Sequence, residues 1–292
     1  MIITHKIAAL TATLTTALSL LAAPVMAFSV GATNNTETLK NNLLGANTAG
    51  LSNFYVSITG NAAAFGTFTN DPFGLTSGVV LSTGKVTDIP GQNRYDNDNI
   101  ASDLSTDFGA PGQKGDLTQL NLSFFADSTA EKLLFEYVFA SEEFPEFGDY
   151  PKFNDDFELL LNGTNLAKLS DGKTVTINNL SPDPKNRSTD HPDYINNPSF
   201  TGIAANIVKL DGFTKVLGFE GLLNKNQTNV LSIRIKDVGD GNLDSAVFIK
   251  GGSVGTVQPE PVPEPMTVGG LMAGGAMLAA GRKLRNRRGG SN

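Results

Sequence analysis

Short runs of β-branched and aromatic residues, bounded by Gly, Asn and Asp, recur through the middle of the chain and predict strands. Leu231, Ile233 and Ile235 alternate with polar residues, which is the pattern of a half-buried strand. The run 133–139 is apolar except at Glu136 and predicts a central strand. The predicted strands lie at 54–59, 66–69, 78–82, 120–125, 132–140, 157–161, 174–177, 215–219, 230–236 and 246–249.

Helical periodicity is confined to one segment of this central region. In residues 36–44, Leu39, Leu43 and Leu44 share a face, and Gly45 follows as the expected C-cap. Many short strands without a long helical crossover predict an all-β fold, mainly an antiparallel β-sandwich or jelly roll, with one short N-terminal helix. Long polar loops are predicted at 86–118 and 181–200.

The first 27 residues have the three parts of a secretory signal peptide. Lys6 supplies the positive start, residues 7–21 form an apolar stretch, and Val25-Met26-Ala27 is a small-residue cleavage pattern. We therefore predict export, with signal peptidase cutting after Ala27. The alternative is a short membrane anchor, which the brief apolar stretch disfavours.

The other end of the chain combines a Pro-Glu-Pro triplet, an apolar run over 266–281 and a basic cluster. The run predicts a C-terminal transmembrane-type helix, and the cluster orients it with its tail in the cytoplasm. A plain tail anchor is the alternative, but it leaves the triplet unexplained. The processing residues are Ala27, the triplet Pro263, Glu264 and Pro265, and the cytoplasmic stop Arg282, Lys283, Arg285, Arg287 and Arg288.

This order of elements resembles the PEP-CTERM sorting signal of exopolysaccharide-producing bacteria. The resemblance implies cleavage near the triplet by a membrane protease of the exosortase type. It also implies a protein of the cell envelope or extracellular space, anchored transiently or permanently in the inner membrane. The expected organisation is a signal peptide at 1–27, a β domain at 28–254, a Pro-rich linker at 255–262 and the sorting signal at 263–288.

Composition narrows the chemistry of the 292-residue chain. It has no Cys, which excludes disulfides, thiolate metal sites and thiol catalysis. Of its 2 His residues, His5 lies in the leader and only His191 lies in the predicted domain. The net charge of −7 argues against nucleic acid as a partner and favours cations.

Two acidic segments are candidates for calcium binding. Glu142, Glu143, Glu146, Asp149, Asp155 and Asp156 lie within fifteen residues, and a second segment at 237–244 alternates Asp with Gly. Such carboxylates repel each other unless they are solvated or share a hard cation such as Ca²⁺. The second segment lacks the bidentate Glu of an EF-hand. The predicted ligands are Glu142, Glu143, Asp155, Asp156, Asp240 and Asp244; the alternative is a solvated acidic loop with a β-turn.

The same segments carry a second resemblance, over most of the exported chain. Phe-Ala-Ser-Glu-Glu-Phe at 139–144, Phe-Asn-Asp-Asp-Phe at 153–157 and Leu-Asp-Ser-Ala-Val-Phe-Ile at 243–249 are similar to the choice-of-anchor L domain. Residues 31–45 and 77–84 are similar to its N-terminal part. The resemblance implies a bacterial surface domain attached to alternative C-terminal anchors, and it supplies no catalytic residue.

Catalysis is therefore not predicted, although three features of the sequence resemble parts of catalytic sites. Glu142 and Glu143 with Asp155 or Asp156 form a glycosidase-like set. His191 reads as an exposed residue of a polar loop, and Ser253, within Gly-Gly-Ser-Val-Gly, as a chance match in a flexible domain end. We predict a non-catalytic structural or adhesive protein associated with exopolysaccharide. The alternatives are a calcium-dependent carbohydrate-binding module and a glycan-acting hydrolase.

Overall fold

The computed structural model of the chain describes residues 27–96, 101–109, 116–150, 154–238 and 241–257. The predicted leader before Ala27, most of the linker, the sorting signal and Asp240 lie outside these residues. Within the described ranges, no helix has the length and apolar character needed to cross a membrane.

Over these ranges the chain forms thirteen strands and two α-helices. Helix α1 covers Thr36–Leu43 and helix α2 covers Ile177–Leu180. The strands are β1 (Ser29–Ala32), β2 (Leu51–Thr59), β3 (Phe65–Thr69), β4 (Ser77–Ser82), β5 (Leu117–Ala126), β6 (Lys132–Ser141), β7 (Asp156–Leu161), β8 (Thr164–Asn165), β9 (Tyr194–Asn196), β10 (Gly212–Thr214), β11 (Leu217–Leu222), β12 (Gln227–Lys236) and β13 (Ser245–Lys250).

The strands pair into two antiparallel sheets, which confirms the predicted fold class. The larger sheet has the order β1-β3-β4-β13-β6-β10-β9, with β11 also paired to β6. The smaller sheet has the order β2-β5-β12-β7-β8. Its longest pairing runs from Gln227 opposite Ala126 to Lys236 opposite Leu117 without a register shift.

The main core lies between the inner faces of the two sheets. Phe139 of the larger sheet stacks on Phe157 of the smaller sheet, with ring centroids 5.5 Å apart. Leu231, Ile233 and Ile235 are fully buried in the same core, as their alternation with polar residues predicts. The outer face of the smaller sheet stays polar and half-exposed, as is usual for antiparallel sheets.

A second core covers the other face of the larger sheet. Val138 and Phe248 point into it, together with Val208 and Leu210 from the segment that precedes β10. Burial on both faces explains why the run 133–139 is nearly continuous in apolar residues, because neither set of alternate side chains meets water.

Helix α1 confirms the predicted helix, but Gly45 has a different role from the expected C-cap. Asn35 caps the start, since its side-chain oxygen accepts from the Thr38 N–H at 2.9 Å. The helix ends at Leu43, and Leu44 is already extended. A Cβ at Gly45 would lie 1.9 Å from the Gly252 carbonyl oxygen, so this position needs glycine for close backbone contact.

The predicted strand at 174–177 is wrong. Thr174 forms only an isolated bridge with Lys168, and the Thr176 hydroxyl accepts from the Asn179 N–H at 3.2 Å as the cap of α2. Thr and Val favour strands by propensity, but here the cap hydrogen bond determines the local backbone.

Candidate functional site

One end of the sandwich carries a buried acidic residue beside each of six strand ends, three in each sheet. We call this set the acidic end. Its members precede β5, β7, β10 and β13 or follow β6 and β12, and each has at most 5% of its surface exposed. The members are Asp116, Asp155, Asp211, Asp244, Glu142 and Asp237.

Strand register brings these residues together from distant parts of the sequence. Lys236 pairs with both Asp156 and Leu117, so the flanking Asp237, Asp155 and Asp116 share one end of the smaller sheet. Ser141 pairs with Ser245 and Gly212, which places Glu142, Asp244 and Asp211 at the matching end of the larger sheet.

Backbone hydrogen bonds continue the ladders one step beyond the strands at the acidic end. The Asp237 N–H donates to the Asp116 carbonyl at 3.0 Å, and the Glu142 N–H donates to the Asp244 carbonyl at 3.1 Å. The Asp211 N–H donates to the Ser141 carbonyl at 3.1 Å. The backbone therefore fixes where these carboxylates project.

Asp155 links the two sheets at this end. Its Oδ2 accepts from the Ser245 hydroxyl of the larger sheet at 2.5 Å. Its Oδ1 accepts from the Val238 N–H, two residues after the end of β12, at 3.1 Å. The Ser141 and Ser245 hydroxyls are 2.8 Å apart, which extends the polar network into β6. Asp155 is thus a structural joint between the sheets as well as a candidate ligand.

Glu142 holds the segment 101–109 against the sandwich. Its carboxylate accepts from the Asp103 N–H and from the Leu104 N–H, the latter at 2.5 Å. Burial raises the pKa of Glu142 to about 9, an effect that these two hydrogen bonds oppose and the nearby Asp244 reinforces. At neutral pH the side chain therefore favours its protonated form.

Asp211 is the second strongly perturbed acid of this half. Its Oδ1 accepts from the Asn93 side-chain amide at 2.6 Å, and Asn93 also donates to the Asn197 carbonyl at 2.8 Å. Burial raises the pKa of Asp211 to about 11, and the Glu142 carboxylate adds to the rise. The Asp211 Oδ2 atom is buried without a hydrogen-bond partner.

Asp116, Asp237 and Asp244 show the same direction of change. Burial is the largest cause in each: it raises the pKa of Asp244 to about 7, and it raises the pKa of Asp116 and of Asp237 above their usual range. For Asp237 the second cause is the adjacent Asp155. At neutral pH, burial therefore disfavours the fully ionised acidic end unless protons or cations neutralise part of its negative charge.

The structure brings together part of the predicted calcium-ligand set. Glu142, Asp155 and Asp244 lie in the acidic end, and Glu143 is buried beside them in sequence. Asp240 lies outside the described residues, and the structure describes the backbone of Asp156 but not its side chain. Among the described residues, no group of three or more His, Cys, Asp or Glu is placed so that it could hold a metal ion.

Sequence reasoning left Asp116, Asp211 and Asp237 out of that set. Asp116 and Asp211 are isolated in the sequence, so a search for clustered acids does not find them. The usable signal was their position: Asp116 directly precedes the alternating run 117–126, and Asp237 directly follows the run ending at Lys236.

Two smaller sequence interpretations are corrected by the structure. His191 is only 9% exposed, because its ring lies between Asp171 and Asp193, with N···O distances of 3.4 and 3.5 Å. Ser253 is buried within the domain, where its hydroxyl donates to the Lys250 carbonyl at 2.7 Å. This segment is held by close backbone contacts, and the described residues 254–257 that follow Ser253 do not begin the helix that a nucleophile elbow requires.

The glycosidase-like carboxylates are poorly placed to meet a sugar. Glu142, Glu143 and Asp155 have at most 2% of their surface exposed. A glycosidase must place its two carboxyl groups on either side of an accessible glycosidic bond. A sugar could reach these groups only after the loops around them moved.

A separate polar cleft lies beside His191. It has a volume of about 440 Å³, and Lys173, Asn178 and Asn179 line it together with Asp171 and His191. These side chains offer both donors and acceptors on an open surface, which suits a hydroxyl-rich ligand.

Comparison with known proteins identifies the domain. The family model of the choice-of-anchor L domain matches residues 29–255, which includes both sheets and the acidic end. No curated protein and no solved structure matches the chain. A choice-of-anchor domain indicates a surface-anchored extracellular protein.

Proposed function

Because this chain belongs to the choice-of-anchor L family, we propose that it is a non-catalytic surface protein that associates with extracellular polysaccharide and is processed at its C-terminal sorting signal. The observation that carries this proposal is the family match over residues 29–255, and the predicted export and sorting segments on either side of it support it.

The backbone contacts of the last described residues support a function in which the C-terminus is anchored. The Val254 N–H donates to the Leu43 carbonyl at 3.2 Å, and the Thr256 N–H donates to the Asn47 carbonyl at 2.8 Å. These bonds tie the last described residues to the end of α1 and the segment after it. The preceding strand β13 lies between β4 and β6 in the larger sheet. A force applied at the C-terminus would therefore act on β13, in the middle of the larger sheet.

The polysaccharide association can be tested in the native host. We would compare cells that make extracellular polysaccharide with cells that lack it, and measure the chain in cell, matrix and medium fractions. The proposal expects retention in the matrix only when polysaccharide is present. The same distribution in both strains would contradict the association, and a cytoplasmic location would contradict export.

Sorting has a matched control within the chain. Pro-Glu-Pro occurs at 259–261 as well as at 263–265, so Glu260→Ala and Glu264→Ala make the same change four residues apart. Glu264→Ala should accumulate the membrane-bound precursor, whereas Glu260→Ala should be processed normally. If both variants are processed equally, the triplet 263–265 next to the apolar run is not the sorting motif.

A second candidate function is that of a carbohydrate-binding module, calcium-dependent if the acidic end holds a cation. The observation that favours it is the polar cleft beside His191. Asp171→Ala should then weaken binding to the host polysaccharide in a pull-down assay, and Asp183→Ala, outside the lining of the cleft, should not. Binding that is unchanged in both variants would exclude the cleft as the sugar site.

A further inference from the structure

The carboxylate of Asp71 is satisfied at one oxygen and unpaired at the other. Its Oδ1 accepts from the Phe73 N–H at 2.8 Å and from the Leu75 N–H at 3.1 Å, within the loop that joins β3 to β4. Its Oδ2 is buried without a hydrogen-bond partner. Among the described residues, no Lys, Arg or His forms an ion pair with Asp71. A buried carboxylate oxygen in this condition is costly unless a donor or a positive group reaches it.

Phe28, the first residue of the predicted mature chain, packs against the same loop. It is 8% exposed, and its ring centroid lies 6.3 Å from that of Phe73. The Asn70 side-chain amide donates to the Ala27 carbonyl oxygen at 3.4 Å. Because the Ala27 carbonyl carbon is bonded to the Phe28 nitrogen, this contact places that nitrogen beside the residue that precedes Asp71.

A cavity of about 540 Å³ is shared by Phe28 and Asp71. Its lining also includes Asn70 and the apolar residues Pro90 and Ile207. Asp71 is the only titratable side chain among the described residues that line it. A cationic group at the Phe28 nitrogen would therefore share this cavity with one acid and with no competing charge of the lining.

The start of β1 has few contacts of its own. The strand has four residues, none of them buried, and it lies at the edge of the larger sheet, where it pairs with β3. The end of a chain frays unless it is tied down. A bond from the Phe28 nitrogen to Asp71 would hold both the start of β1 and the loop after β3.

We propose that removal of the leader creates a structural ion pair, in which the new α-ammonium group of Phe28 binds Asp71 Oδ2. This inference rests on the proposed export, with cleavage after Ala27. Hydrolysis of the Ala27–Phe28 peptide bond adds one water molecule and leaves a carboxylate on Ala27 and an α-ammonium group on Phe28. Before cleavage the same nitrogen is an uncharged amide. Processing therefore makes the exported domain more stable than its precursor.

Thermal melting of two chains that differ only in their first residue tests the ion pair. Both end at Asn292 and are kept in a mild non-ionic detergent at pH 6.5, where an α-amino group with its usual pKa of about 7.7–8.0 is protonated. One chain begins at Phe28, and the other begins at Ala23, five residues earlier. We expect the chain from Phe28 to melt about 2–4 °C higher. Equal melting temperatures would overturn the proposal.

Variants of both chains assign the difference to Asp71. Asp71→Asn removes the charge but keeps an oxygen that can accept from Phe73 and Leu75, so it should abolish the difference between the two chains. Asp88→Asn makes the same change at an exposed acid that does not line the cavity and should preserve the difference. An undiminished difference in Asp71→Asn would overturn the assignment.

A chemical change provides the same test if Asp71→Asn does not fold. Pyridoxal phosphate takes the amino group from the N-terminal residue, which becomes a ketone, and leaves lysine side chains unchanged. This reaction should lower the melting temperature of the chain from Phe28 but not that of the chain from Ala23. Equal shifts in the two chains would overturn the ion pair.

The first residue of the chain recovered from the native host separates this proposal from the proposed export. A start at Phe28, together with equal melting of the two chains, would overturn the ion pair and leave export intact. A start at another residue would contradict the predicted cleavage and, with it, the ion pair in the host.

Discussion

Asparagine at position 211 should make the folded chain more stable at neutral pH, by an amount that grows with pH. In the folded chain, burial raises the pKa of Asp211 from 3.8 to about 11, so the side chain keeps its proton. In the unfolded chain the carboxyl group ionises above pH 3.8. The folded state thus binds the extra proton between these two values, and its stability falls as pH rises through that window.

The size of the effect follows from the same shift. Each pH unit within the window costs about 1.4 kcal/mol, which amounts to about 4 kcal/mol at pH 7 if Asp211 titrates alone. Asparagine is neutral throughout and keeps the oxygen that accepts from Asn93. The groups that face Asp211 share the effect and will reduce it: they are Glu142, Glu146, Asp96 and Asn93.

Urea unfolding followed by far-ultraviolet circular dichroism measures this prediction, with the full chain in mild non-ionic detergent and chelator at pH 5, 6, 7 and 8. The stability of Asp211→Asn relative to the parent chain should rise with each step. Glu220→Gln, an exposed charge change, should show a nearly constant difference. A pH-independent or falling difference for Asp211→Asn would refute the conclusion that the buried acid is protonated.

Three further predictions concern core packing, strand register and a surface ion pair. Phe139→Ala removes a fully buried ring that stacks on Phe157 and should lower the free energy of unfolding by about 3–5 kcal/mol in the same urea titration. A loss below about 1 kcal/mol would mean that the two sheets are not packed against each other at this point. Gly78→Ala would place a Cβ 1.9 Å from the Ile249 carbonyl oxygen and should destabilise the β4–β13 pairing. The control Gly218→Ala meets no atom within 4 Å and should be tolerated, so similar melting temperatures for the two variants would contradict this register. Lys132→Gln breaks an exposed ion pair with Glu220 at 2.5 Å and should cost less than about 1 kcal/mol, with a larger loss indicating a buried role for that pair.

Local pattern predicted the elements that have strong hydrophobic runs. The strands β5, β6, β12 and β13 and helix α1 lie close to their predicted positions, because each presents a long apolar face or a clear cap. The short strands β1, β8, β9 and β10 were missed. With two to four residues each, they are defined by pairing with distant partners, and such partners leave no periodic trace in the sequence.

The candidate site was predictable where its acids cluster in the sequence. Glu142, Asp155 and Asp244 were found because they belong to two acidic segments. Asp116 and Asp211 reach the same place only through strand register, which a single sequence does not specify. Burial was also unpredictable: the segments looked like solvated loops, yet Glu142 and Asp155 are almost completely enclosed. That enclosure changes the chemistry from a charged surface to a set of buried acids, and burial raises the pKa of Glu142 to about 9.

Intact-mass spectrometry of the chain recovered from its native host tests the central claim, export and sorting of a choice-of-anchor L domain, most directly. The mature form should begin at Phe28 and end at or next to the triplet 263–265, and so lack both the leader and the Arg cluster. A stable extracellular form that still ends at Asn292, or a chain that retains the leader from Met1, would contradict the account.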